Sequence, residues 1–144
     1  LTTPGHPLGS QQEARFSECS DAVMVMPAEP LAACPQIAVL EGMTGITPTR
    51  AVTSDNIQMI TSLVLQGVGI GILTSIDVIT EFKRGLLNFT RISDTVLRPM
   101  ILALSTSSAR TLSYAASVAL AEVENGFSQL GYPASMDGYT DLVA

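Results

Sequence analysis

The strongest candidates for chemistry in this sequence are four polar residues, Thr53, Ser54, Asp55 and Asn56. They lie at the start of a predicted helix, 55–66, whose apolar residues have helical spacing. The first turn of a helix leaves backbone N–H groups without partners and carries a partial positive charge, so it attracts carboxylates and phosphates. The hydroxyls of Thr53 and Ser54 can donate hydrogen bonds to the same anion, whereas the charge of Asp55 would weaken its binding. The pattern therefore predicts an anion-binding helix start, with helix capping alone as the alternative.

Other residue types that could do chemistry lack partners. His6 is the single histidine and lies between a glycine and a proline, and the sequence has no Gly-x-Ser-x-Gly elbow. Cys19 and Cys34 do not form a Cys-x-x-Cys pair, and Cys34 is expected to be a small core residue. The run Gly67-x-Gly69-x-Gly71 follows a helix, whereas a dinucleotide loop precedes one, so it indicates close packing of a helix on a strand. We therefore predict no catalytic residue, no metal site and no cofactor.

The elements that would position these residues alternate between short strands and helices, which predicts an α/β fold with parallel connections. Pro30 is expected at the start of the first helix, with Pro35 in its first turn. Thr53 or Ser54 should cap the second helix and Ser75 the third. The predicted order is strand 22–26, helix 31–43, strand 47–53, helix 55–66, strand 69–73, helix 76–84, strands 86–91 and 97–105, and helix 108–124.

The two ends of the chain differ from this core. Residues 1–16 are polar and contain prolines and glycines, so they are expected to form a loop or linker. The tail 127–144 has no periodicity and is expected to be loose. The helix before the tail should bury one apolar face, made of Leu112, Ala115, Ala116, Ala119, Leu120 and Val123.

Composition narrows the function classes. The chain has 144 residues, about one domain, and 47% of them are hydrophobic, which excludes a disordered chain. The net charge is −6, from 13 acidic and 7 basic residues, and tryptophan is absent, so the chain by itself is a poor nucleic-acid binder. The segment 31–43 carries Glu41 as its single charge, which indicates either burial on several sides or a subunit interface.

Several motifs together resemble the effector-binding domain of LysR-type transcriptional regulators, over about residues 5–126. They are His6-Pro7-Leu8, then Ser54-x-x-Ile57-x-x-Ile60-x-x-Leu63-Val64-x-x-Gly67-Val68-Gly69-Ile70-Gly71-Ile72-Leu73, then Val78-Ile79-x-Glu81-Phe82-x-x-Gly85-x-Leu87, and last the strand at 97–105 with the helix after it. Each motif is weak alone, and their order and spacing make the set specific. The sequence departs from the family at Thr74-Ser75, where a proline often follows the leucine.

The resemblance implies a periplasmic-binding-protein-like (type II) fold with two subdomains. Residues 1–16 would lead in from subdomain I, residues 17–96 would form a complete subdomain II, and residues 97–126 would return a strand and a helix to subdomain I. The family's DNA-binding helix-turn-helix and the first half of subdomain I are expected upstream. This partial fold would leave apolar surface exposed unless a partner or a further segment covers it.

The resemblance also implies a function. Family members bind a small, often anionic, metabolite between the subdomains, and binding changes how a dimer or tetramer contacts DNA. By position, the effector should contact Thr53, Ser54, Asn56, Pro27 and Ala28. The dimer should form through 31–43 and 47–53, with interface residues Leu31, Ala32, Ile37, Leu40, Thr47 and Thr49. The expected protein is a cytoplasmic regulator that has no enzyme activity and contacts no membrane.

Three other functions remain open at the level of sequence. A periplasmic solute-binding protein shares the two-lobed fold and would carry an export signal in its precursor. A small α/β enzyme would need a nucleophile and a base, and no such pair stands out. A regulator module that only oligomerises would bind no metabolite.

Overall fold

The computed structural model describes residues 1–98, 100, 102–107, 109 and 111–129. The chain divides into two compact units, Leu1–Arg98 and Pro99–Ala144. The described strands and helices are β1 (Glu13–Ala14), β2 (Met24–Pro27), α1 (Cys34–Thr44), β3 (Arg50–Ser54), α2 (Ile57–Leu65), β4 (Ile70–Gly71), α3 (Ser75–Lys83), β5 (Arg91–Ile92) and α4 (Tyr114–Gln129).

A parallel three-stranded sheet, in the order β3-β2-β4, forms the centre of the first unit. Strand β2 lies in the middle, and all four of its residues are buried. Its register places Val25 opposite Gly71 of β4 and Pro27 opposite Ser54 of β3. Helices α1 and α2 connect these strands along the chain, so the predicted α/β fold with parallel connections is confirmed.

Side chains of β2 alternate between two apolar cores, as they must in a strand. Met24 and Met26 pack with Ile37 of α1 in one core. Val25 packs in the other core with Ile60 of α2, together with residues of α3. Helices therefore cover both faces of the sheet, which is the doubly wound arrangement.

Helix α1 begins later than the sequence predicts. Pro30 lies in a turn, in which the Leu31 N–H donates to the carbonyl oxygen of Ala28 at 3.0 Å, and the helix starts at Cys34. The backbone angle of a proline suits a turn as well as a helix start, so its position alone does not decide between them. Pro35 lies in the first turn as predicted, and the helix ends at Thr44, followed by Gly45 with φ 68°.

The caps of α2 and α3 also differ from the prediction. Asn56 caps α2, rather than Thr53 or Ser54. Thr74 caps α3, rather than Ser75, because its N–H and its hydroxyl both donate to the carboxylate of Asp77, at 3.1 and 2.7 Å. A side-chain acceptor three residues after the cap favours Thr74 over its neighbour.

The leading segment is hydrogen-bonded into the first unit. Thr2 exchanges two backbone hydrogen bonds with Asn88, of 3.1 and 2.9 Å. Strand β1 pairs with β5, and the Arg91 guanidinium forms an ion pair with the Glu13 carboxylate. Of the strand predicted at 86–91, the structure contains only the Asn88 bridge and the first residue of β5.

Gly69 allows the close approach that the glycine run predicts. A Cβ at this position would lie 2.3 Å from the carbonyl oxygen of Val23, so no larger residue fits without a backbone shift. This contact joins the segments before β4 and β2. The predicted packing of a helix on a strand is confirmed at Gly71 of β4, where a Cβ would lie 3.0 Å from the Val64 Cγ2 atom of α2.

The second unit differs most from the predicted elements. No strand is present among the described residues of 97–105, and none of them has a strand partner that could supply hydrogen bonds. Helix α4 starts at Tyr114 and continues past Gly126, and it has no buried residue in the described chain, so the predicted apolar face is not covered. The tail beyond residue 129 lies outside the described residues. No described helix combines the length and the apolar character that a bilayer crossing requires.

Candidate functional site

The carboxyl ends of β2 and β3 bring together most of the residues predicted to bind an effector. Pro27 lies directly opposite Ser54 in the parallel register. The N–H of Ala28 donates to the carbonyl oxygen of Ser54 at 2.8 Å, which continues the pairing one residue beyond β2. In open parallel sheets, ligands bind outside the carboxyl ends of the strands. These ends are therefore the candidate site.

Ser54 joins the end of β3 to the start of α2. Its hydroxyl oxygen accepts a hydrogen bond from the Asn56 N–H at 3.1 Å, and its hydroxyl lies 3.6 Å from the Met59 sulfur, to which it donates. The residue is only 9% exposed. Both hydrogen bonds are local, so the hydroxyl is held at the turn. A thioether is a weak acceptor, and a ligand oxygen could replace it.

Asn56 orients the first turn of α2. Its side-chain oxygen Oδ1 accepts the backbone N–H of Met59 at 3.1 Å. Helix geometry leaves the N–H groups of Ile57 and Gln58 without intrahelical partners, at the positive end of the helix dipole. Asn56 is exposed, so a ligand at the strand ends could contact both its side chain and these N–H groups.

Thr53 is less well placed than the sequence suggests. It lies opposite Met26 in the register, and its neighbour Ser54 is directed into the turn. Successive side chains of a strand point to opposite faces, so Thr53 presents its hydroxyl to the other face of the sheet. The residue is exposed. The structure therefore groups Ser54, Asn56, Pro27 and Ala28, with Thr53 adjacent and turned away.

Two acidic residues border the candidate site. Glu29 follows Ala28, Asp55 follows Ser54, and both are exposed. Their charges oppose the attraction that the helix start exerts on an anion. An anion at this site would depend on hydrogen bonds from the Ser54 hydroxyl and the helix N–H groups more than on net charge.

Met59 is the residue of this site that the sequence analysis misses. The apolar spacing of α2 assigns its inner face to other residues, and the Met59 side chain is 49% exposed. Its sulfur contacts Ser54 and its N–H is bonded by Asn56. One sequence signal could have indicated Met59. A helix cap accepts the backbone N–H of the residue two or three positions later, and Met59 lies three positions after Asn56.

The residues predicted for the dimer interface fall into two groups. Ile37 and Leu40 are 4% and 1% exposed and belong to the interior of the first unit, so their side chains are covered without a second subunit. Leu31 is half-buried against a core. The remaining three, Ala32, Thr47 and Thr49, are exposed. The outer side of α1 also exposes two apolar residues that the sequence analysis did not select, Val39 at 42% and Met43 at 72%.

The histidine and the cysteines lie elsewhere. The Nδ1 atom of His6 accepts the Leu8 N–H at 3.2 Å and caps a short 3-10 helix, Pro7–Ser10. Burial raises the pKa of the Cys19 thiol. The pKa of the Cys34 thiol is raised mainly by desolvation and to a smaller extent by the negative charge of Glu29. Neither thiol is therefore activated as a nucleophile. In the described part of the chain, no three residues of the metal-binding types converge.

Comparison with known proteins adds a family match. The family model described as LysR substrate binding domain matches residues 1–128. This range includes the candidate site and extends into α4. A search of curated proteins gave no match.

Proposed function

The chain belongs to the LysR substrate-binding domain family, and from this premise we propose that the carboxyl ends of β2 and β3 bind a small anionic metabolite. Domains of this family sense effectors in LysR-type transcription regulators, which are not enzymes. The family also accounts for the absence of a nucleophile–base pair among the sequence motifs. It favours a regulator over the solute-binding protein considered from the sequence.

One observation carries the location of the site. Ser54 and Pro27 are register partners at the end of a parallel sheet, and Ala28 and Asn56 are each hydrogen-bonded to Ser54. Residues from two separate segments thus meet where open α/β sheets bind ligands. The pairing of β2 with β3 brings Pro27 and Ala28 to this place, where helix capping alone does not need them.

The chemistry of the site favours a singly charged anion. The Ser54 hydroxyl and the first-turn N–H groups of α2 supply hydrogen-bond donors, and the helix start supplies a partial positive charge. Glu29 and Asp55 carry two full negative charges against about half a positive charge at the helix start, so the net charge around the site is negative and opposes a dianion more than a monoanion. We therefore expect monocarboxylates to bind more tightly than inorganic phosphate.

Self-association is the second part of the proposal. Domains of this family oligomerise. The exposed residues Val39 and Met43 on α1 and the exposed Thr47 and Thr49 before β3 lie within one stretch of chain, and a second subunit could cover their exposed side chains. Strand β3 is also an edge strand of the described sheet, so it has an unpaired side. In the full regulator, effector binding would change the contacts of a dimer or tetramer with DNA through an N-terminal helix-turn-helix, in the cytoplasm.

A thermal-shift screen of the complete regulator tests the proposal. The screen compares acetate, benzoate, salicylate and succinate with inorganic phosphate, at equal ionic strength. A ligand at about 100 times its dissociation constant stabilises the folded state by about 2.7 kcal/mol, which is readily detected. Stabilisation by a monocarboxylate that is smaller by about 1 kcal/mol in Ser54→Ala and unchanged in Thr53→Ala supports the site. A folded protein that responds to none of these acids would favour a module that only oligomerises.

A further inference from the structure

The side chain of Met59 is exposed to solvent and is also hydrogen-bonded to a residue of the candidate site. It is 49% exposed, yet its sulfur accepts the Ser54 hydroxyl at 3.6 Å and its N–H donates to Asn56 at 3.1 Å. A chemical change at this sulfur would therefore alter the hydrogen bonds of Ser54 and Asn56, the two residues that form the turn between β3 and α2.

The other methionines do not share this combination. Met24 and Met26 are 0% and 1% exposed in the core, where an oxidant has no access. Met43 is 72% exposed and lies on α1, away from the turn. Among the methionines that the structure describes, Met59 alone has both solvent access and a hydrogen bond at its sulfur.

We propose that Met59 is a modification site at which oxidants of the peroxide class act on the candidate effector site. The sulfur lone pair attacks one oxygen of the peroxide, so an S–O bond forms as the O–O bond breaks. The sulfur is oxidised by two electrons to the sulfoxide, and hydrogen peroxide is reduced to one molecule of water. A methionine sulfoxide can be reduced again enzymatically, so the modification is reversible in a cell.

The sulfoxide would change the hydrogen bonding of Ser54. A sulfoxide oxygen is a much stronger acceptor than a thioether sulfur, so the Ser54 hydroxyl would donate to it more strongly. Hydrogen bonds in a chain polarise one another, and the Ser54 oxygen would then hold the Asn56 N–H more tightly. The hydroxyl proton would no longer be available to an anion. This last consequence rests on the proposed function and implies weaker effector binding after oxidation.

The test needs no effector, so its outcome is independent of whether the site binds an anion. The complete chain is treated with graded hydrogen peroxide, and peptide mass spectrometry gives the oxidation rate at each methionine. Amide hydrogen exchange at Asn56 is then measured by NMR before and after oxidation. Met59→Leu removes the reactive sulfur with little change in volume. Met43→Leu is the matched control, because it removes an exposed methionine outside the turn.

We expect Met59 to oxidise much faster than Met24 and Met26. Exchange at the Asn56 amide should slow several-fold on oxidation in the wild type and in Met43→Leu, and remain unchanged in Met59→Leu. The proposal is overturned if Met59 oxidises as slowly as the core methionines. It is equally overturned if exchange at Asn56 is unchanged or faster after oxidation, or if Met59→Leu responds like the wild type.

Discussion

The hydroxyl oxygen of Ser54 accepts the backbone N–H of Asn56 at 3.1 Å, which makes the last residue of β3 part of the start of α2. Asn56 in turn accepts the N–H of Met59. The strand end and the first helical turn therefore form one hydrogen-bonded unit. A change in Ser54 should consequently affect both the stability of the turn and any ligand bound beside it.

Replacing Ser54 with alanine removes the hydrogen bond that joins the end of β3 to the start of α2. The N–H of Asn56 loses its acceptor, so we expect Ser54→Ala to lower the free energy of unfolding by about 1 kcal/mol. Affinity for the monocarboxylate found in the screen should fall about fivefold, because one donor is lost. Urea denaturation and ligand titration measure the two effects. Thr53→Ala is the control and should change the stability by less than about 0.5 kcal/mol.

Replacing Asn56 with aspartate distinguishes helix capping from anion binding. Aspartate retains the acceptor for the Met59 N–H and adds a negative charge at the helix start, so stability should be unchanged or higher by up to about 1 kcal/mol. The same charge repels a bound anion, and at about 4 Å in water it should weaken binding roughly fivefold. Denaturation and titration of Asn56→Asp give both values. If affinity for the anion is unchanged while stability rises, Asn56 has only a capping role.

The fold of the first unit is largely predictable, because local pattern and burial agree there. The short apolar run that ends at Pro27 fits a buried strand, and the helical spacing after Asn56 indicates a helix that packs on one face. Where a helix start differs from the prediction, several neighbouring residues could have capped the helix. Ser54 and Asn56 are both good caps, and only the backbone path decides which side chain reaches the helix N–H groups.

The other parts of the fold and of the candidate site depend on contacts that sequence patterns do not encode. Residues 97–105 are mostly apolar, but a strand also needs a neighbour with free N–H and C=O groups. The Ile37 and Leu40 side chains could have pointed to solvent or to the core, because α1 is apolar on most of its surface. The contact of Met59 with Ser54 involves a sulfur acceptor, which no spacing rule predicts. For the candidate site, the sequence indicates the helix start but does not indicate which hydroxyl faces it.

Substitutions in α1 test the division between core and interface residues. Leu40→Ala removes a side chain that is 1% exposed, so it should cost about 2–5 kcal/mol of stability. Val39→Ala changes a side chain that is 42% exposed and should alter the unfolding of a monomer by less than about 0.5 kcal/mol. Val39→Ala should instead raise the dissociation constant of the dimer, measured by sedimentation. Association equal to that of the wild type would remove the outer side of α1 from the proposed interface.

Two glycines give opposite expectations for the same substitution. A Cβ at Gly69 would lie 2.3 Å from the Val23 carbonyl oxygen, and because this neighbour is backbone it cannot rotate away. Gly69→Ala should therefore separate the segments before β2 and β4 and cost about 1–3 kcal/mol. Gly42 lies within α1 with open space around its Cβ position, so Gly42→Ala should stabilise the helix by about 0.5–1 kcal/mol. Thermal and urea denaturation of the two variants measure the difference. Equal effects would mean that the close approach at Gly69 is not required for the parallel sheet to form.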